Sequence, residues 1–200
     1  MTLYRTVAPA MLALALGGCS IGGLLGGGGK APTTLQTLTP EAADPGPMTR
    51  TVNAGQAVTV ATPSVPKELH TVRVPVQVNA TDIQYVTNLQ WVDTPDRLFQ
   101  GLVEETIRRT TGRVVLDPKQ ATLDPGLVVT GALQRFGYDA ASGQAMVVYD
   151  ASLSTEGGTR VEARRFTASV PADGSGASVG AALNRAANQV ALDVAKWVGG

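Results

Sequence analysis

The chain has one cysteine and one histidine in 200 residues. A lone cysteine, Cys19, excludes an intrachain disulfide. A lone histidine, His70, leaves a structural metal site short of the roughly four ligands it needs, so no metal is expected. A Ser-His-Asp triad would have to use His70, and no Gly-x-Ser-x-Gly sequence frames any serine. The carboxylate pairs Asp93/Asp96 and Glu104/Glu105 read as helix-capping and surface charges. With no nucleophile and base in a common motif, the expectation is a protein that is not an enzyme and uses no cofactor. Charge is scarce too: 16 basic and 16 acidic side chains cancel. A nucleic-acid binder normally shows a basic face, so that class is set aside. The glycine tract Gly26–Gly29 follows no strand and leads into no GK[ST], which removes a P-loop. In "GSGASVG", 174–180, the glycine-rich turn opens a helix that ends the chain, so no second parallel strand completes a dinucleotide-binding unit. Long apolar runs are lacking as well. The longest, Val7 to Leu16, is about ten residues, half of a membrane-spanning helix.

That short run is informative by its surroundings. Arg5 precedes it, and Gly17 and Gly18 close it before Cys19. A basic start, a short apolar core and small terminal residues describe a secretory signal peptide, residues 1–18. The piece "LGGC" resembles a bacterial lipobox. The resemblance implies that Cys19 becomes the lipidated first residue of the mature chain, its only covalent group. One acyl chain holds a membrane marginally and two hold it stably. Ser20 stands where aspartate favours inner-membrane retention in some bacteria, which favours the outer over the inner membrane. Residues 19–32 are glycine-rich without periodicity and read as a flexible tether.

Residues 33–200 read as one folded domain. Hydrophobic residues make up 44% of the chain, enough for a core. "TTLQTLTP" (33–40) reads as a short strand and "QAVTVATP" (56–63) as a second. "HTVRVPVQV" (70–78) puts four valines on one face, with Pro75 marking an edge or an irregularity. "DIQYVTNLQWV" (82–92) reads as a hairpin around Thr87-Asn88. A helix follows, with Thr94 as cap, Pro95 in the first turn, and Leu98, Phe99, Leu102, Val103, Thr106 and Ile107 on one side. Glu104–Arg108 and Glu105–Arg109 are spaced for ion pairs on the other. "RVVLD" (113–117) is a further strand. Three alternating runs, 126–139, 143–155 and 159–171, are separated by turn signals and predict an antiparallel meander. The last stretch repeats apolar residues at helical spacing from Val179 to Val198, with Ser175 or Ser178 as cap. The predicted class is α+β: a mixed, mainly antiparallel sheet with two amphipathic helices packed on one face.

The lipobox, the segment "IQY", the piece "LQWVDTPDRLFQGLVEETI" with Trp91 four residues before Pro95, the "GYD" strand and the C-terminal helix occur in one order. That order resembles the ABC-type transport auxiliary lipoprotein family, whose relatives include the paraquat-inducible lipoprotein. The likeness runs over most of residues 33–198. It implies a lipid-anchored protein on the periplasmic face of the envelope. Its partners would be a mammalian-cell-entry (MCE) protein and ABC transporter components moving phospholipid or other hydrophobic cargo. A homo-oligomer is compatible with this. Two other roles fit a small α+β domain on a tether: an outer-membrane assembly lipoprotein bracing a β-barrel, and a direct lipid carrier. For the partner interface the candidates are Tyr85 and Trp91, which serve either as exposed anchors or as packing between hairpin and helix. Tyr138 and Asp139, at the mouth of a turn, are the other two.

Overall fold

The computed structural model describes residues 34–119, 126–155 and 160–200. The signal peptide, Cys19 and the tether lie outside the described residues. The elements run β1 (Ala57–Val60), β2 (Arg73–Gln77), β3 (Ile83–Gln90), α1 (Pro95–Thr110), β4 (Val114–Leu116), β5 (Leu127–Asp139), β6 (Gln144–Ser154), β7 (Val161–Pro171) and α2 (Gly176–Gly199). The fold is α+β, as the pattern predicts.

Strand β5 organises the sheet. Along one side it pairs antiparallel with β6, which pairs antiparallel with β7. These are the long ladders, built by the predicted meander. The other side of β5 is shared between two short parallel neighbours. Strand β1 joins its first residues and β2 its last. Beyond β1 lies parallel β4, and beyond β2 lies antiparallel β3. Three pairings are therefore parallel and three antiparallel, with the parallel ones only two or three residues long.

Two local expectations are corrected. Residues 82–92 do not form a hairpin: Ile83–Gln90 is a single strand. Asn88 sits at φ 58°, a conformation that asparagine tolerates, and it kinks the strand rather than reversing it. The reversal comes earlier, between β2 and β3, where Val78 N–H donates to Asp82 O. The Asn79 side chain closes that turn by accepting from the N–H groups of Thr81 and Asp82. Of the predicted strand 33–40, the described residues 34–40 contribute one bridge, Gln36 to Trp91, and no strand. Pro75 does mark an irregularity, since the β2–β3 register shifts between Arg73 and Pro75. It is not at an edge, because β2 is paired on both sides.

Both helices lie on one face of the sheet. In α1 the buried residues are Pro95, Phe99, Leu102, Val103, Thr106 and Ile107, the predicted stripe with Leu98 at its half-buried margin. Its solvent side holds the Glu104–Arg108 and Glu105–Arg109 pairs at 3.3 and 2.7 Å. Ser175 caps α2 by accepting from Ser178 N–H at 3.3 Å. Ala182, Ala186, Ala187, Ala191 and Ala195 of α2 are fully buried. Such small side chains let the helix axis come close to its neighbours. The core closes on two edge-to-face aromatic pairs: Trp91–Phe136 at 5.7 Å and Phe99–Tyr149 at 5.1 Å between ring centres.

The first described residues form a strap along α2. Gln36 bonds to the outer side of β3, and its side chain occupies the space left by Gly180, where a Cβ would clash. Farther on, Thr39 N–H donates to Asn184 Oδ1, and Glu41 N–H donates to Asn188 Oδ1. Asn188 is buried, and its amide also donates to Thr39 O and Asn184 O. Two asparagines one helical turn apart thus read the strap's backbone.

Candidate functional site

With both helices on one side, the opposite face of the sheet is left open. Strand β6 shows how the sequence makes it: Ala145, Val147, Tyr149 and Ala151 are buried under the helices, while Met146, Val148 and Asp150 alternate outward and stay half-buried. The register carries the same face across the neighbouring strands. Gly137 lies opposite Met146, Asp139 opposite Gln144, and Arg165 opposite Asp150. Gln77 is beside both Asp139 and Ile83, and Pro75 is beside Tyr85.

Charged groups on this face come in pairs. Arg165 grips Asp150 with two bonds, 2.6 Å from Nε and 2.7 Å from a terminal nitrogen. Arg165 thereby holds the Asp150 carboxyl below its ordinary range. Arg135 reaches Asp139 at 3.3 Å. The Asp139 carboxyl is also held below the ordinary range, first by the backbone N–H of Ser142 at 2.9 Å and further by Arg135. Arg73 stacks 4.1 Å over the Tyr85 ring. Between β2 and β5 there is a shallow cavity of about 70 Å³ lined by Pro75, Gln77, Ile83, Arg135 and Gly137. Such a face offers polar groups that neutralise one another beside one shallow cavity. It suits docking of another macromolecule better than enclosure of a small substrate.

The four candidates from the sequence separate. Tyr85 and Asp139 share the open face. Trp91 does not belong there: it is 1% exposed and packs on Phe136, so it is a core residue rather than an interface anchor. The physical reason is the kink at Asn88, which turns Leu89 and Trp91 inward together. Tyr138 turns to the helix side, where its hydroxyl donates to Ala172 O at 3.2 Å and secures the β7–α2 link. Cys19 lies outside the described residues. The sequence reading missed Arg73, Arg135, Asp150 and Arg165. Asp150 and Arg165 are directly opposed in the observed β6–β7 register, which the predicted ends of the two runs miss by one residue.

Gly137 shapes the cavity by having no side chain. A Cβ there would lie 2.5 Å from Pro75 O and 2.9 Å from Pro75 Cγ. Gly137→Ala is expected to cost about 1–3 kcal/mol by overpacking and to part β2 from β5. A lower urea midpoint together with faster amide exchange in β2 and β3 checks this. Wild-type midpoint with native exchange would show that the close approach is not required.

A milder effect is expected at Asp139. A depressed carboxyl contributes stability that is present above the unfolded-state value of about 3.9 and is lost as pH falls through the lower folded value. Asp139→Asn is therefore expected to be less stable than wild type near neutral pH. The gap should close in acid, as read from urea unfolding at several pH values.

Comparison with known proteins gives a family and several solved structures, among them two of similar fold. The family model for the ABC-type transport auxiliary lipoprotein component matches residues 37–195. The crystal structure of a Xanthomonas campestris protein of family DUF330 is similar in fold, with a TM-score of 0.66 and 20% identity over 82% of this chain and 94% of that one. A second, of an uncharacterized protein, has a TM-score of 0.62 and 16% identity over 72% and 92%. The search of curated proteins returned no match.

Proposed function

The chain belongs to the ABC-type transport auxiliary lipoprotein family, and from that premise we propose that it serves an MCE-type ABC transport system. In this reading it is anchored through Cys19, faces the periplasm from the outer membrane, and docks on an MCE protein during transfer of phospholipid or other hydrophobic cargo. The observation that carries the docking role is the open sheet face with its paired charges, set on a domain whose helix side is already filled. A direct carrier would need an apolar cavity. The space between sheet and helices is instead taken by side chains such as Val147, Leu183, Ala187 and Val190, each buried to within about 1%. The same filling supports a non-catalytic role, as does His70, whose Nε2 lies 3.1 Å from Val65 O.

The test is crosslinking and pull-down of the full-length protein from native membranes. Recovery of an MCE protein together with ABC components is expected. Capture of a β-barrel without any MCE protein would replace this reading with that of an assembly lipoprotein.

A further inference from the structure

Of the sheet's edge strands, β7, β3 and β4, the first two differ in chemistry. The β7 margin exposes Ala163, Arg164, Arg165, Thr167 and Ser169, with one large aliphatic at its start, Val161. The β3 margin exposes three, Leu35 at 53%, Val92 at 52% and Ile83 at 41%. Their arrangement follows from the bridge between Gln36 and Trp91. Trp91 points into the core and Gln36 into the space above Gly180, so Leu35 and Val92 alternate outward. Ile83 and Tyr85 continue the row along β3, with Arg73 over the tyrosine ring. The carboxylates at either end are engaged locally. Asp82 accepts from Asn79 at 2.7 Å, and Asp93 accepts from Thr94 N–H at 2.7 Å beside Arg97 at 3.9 Å.

We propose that this margin rests on the surface of the bilayer and so fixes the orientation of the domain. The proposal rests on the reading of Cys19 as the lipidated residue. Only residues 20–34 separate Cys19 from Leu35, and a glycine-rich stretch of that length reaches roughly 20 Å on average. On that reading the first exposed aliphatic of the described chain is within about 20 Å of the anchored residue on average. Tethering supplies an effective concentration of order millimolar, at which a weak apolar contact is occupied. Aliphatic side chains enter the interfacial region, and a tyrosine with an arginine at its face suits the headgroup level. From β3 the strands run β2, β5, β6, β7, four spacings of about 4.8 Å. Across the sheet the β7 margin lies roughly 19 Å from β3.

The chain's single natural cysteine makes the test clean, because an acylated Cys19 offers no free thiol. Full-length lipidated protein carrying Leu35→Cys, Val92→Cys or, as control, Thr167→Cys is labelled with an environment-sensitive fluorophore. It is then incorporated into phosphatidylethanolamine–phosphatidylglycerol vesicles containing nitroxide lipid. Blue-shifted emission and quenching at 35 and 92, with a water-like signal at 167, is the expected result. Water-like emission at all three positions on protein that floats with the vesicles overturns the proposal and leaves the anchor intact. Shielding of 35 and 92 only after transporter components are added also overturns it, assigning the margin to a protein partner. Protein that fails to float and carries no acyl adduct on Cys19 by mass spectrometry removes the anchor reading, and the proposal falls with it.

Discussion

Trp91→Ala is expected to cost about 3–5 kcal/mol, the range for emptying a large aromatic site in a core. For a domain of this size that lowers Tm by roughly 6–20 °C. The side chain is 1% exposed, packs edge-on against Phe136, and holds the C-terminal end of β3 to β5. Trp91→Phe should cost much less. The indole N–H is buried without a hydrogen-bond partner, so the phenyl ring loses contact area but also removes an unsatisfied donor. Differential scanning calorimetry of the two variants separates the roles. A large loss for alanine with a small one for phenylalanine identifies packing. Wild-type stability for the alanine variant, with impaired partner capture, would return Trp91 to the interface.

Cys19→Ala is expected to move the protein from the membrane fraction to the soluble fraction. A single acyl chain of ordinary length supports binding of order 10⁴ M⁻¹, and a second chain multiplies it. Removing the lipid leaves only the weak apolar margin at Leu35 and Val92, insufficient without the anchor. Fractionation and immunoblotting read the shift. The urea midpoint should stay at the wild-type value, because the described core residues all lie at Leu38 or later. A variant that has lost residues 1–18 by mass spectrometry and still stays with membranes through carbonate washing would count against the lipobox reading.

What could be read in the sequence followed the range of the interactions. Helices α1 and α2 and the meander β5–β7 are local patterns: apolar residues three or four apart, or alternating, with turn residues between them. Each was recovered nearly to its ends. The segment around Asn88 misled, because Thr-Asn after an alternating run looks like a turn, whereas asparagine can take a positive φ inside a continuing strand. The true reversal at Asn79–Asp82 was written in equally good turn residues a few positions earlier. The parallel pairings of β5 with β1 and β2 join segments roughly 60–70 residues apart. Nothing in a local window signals them. The open face was hidden for the same reason, since Tyr85 and Asp139 share it only through β2. Alternation could mark Asp150 as outward, but only the register shows that Arg165 opposes it.

The strap along α2 has a mechanical consequence. For a chain held at Cys19, thermal motion of the membrane or of a bound partner pulls on the residue entering the domain. The strap runs in the same direction as α2, Gln36 beside Gly180, Thr39 beside Asn184 and Glu41 beside Asn188. Traction on its leading end therefore acts along the row of bonds and loads them together, as in shear, instead of opening them one after another. The buried Asn188 amide, bonded at three points, is the rearmost cleat. Force is handed to the longest helix of the domain, and the outer side of β3 is spared from being peeled away.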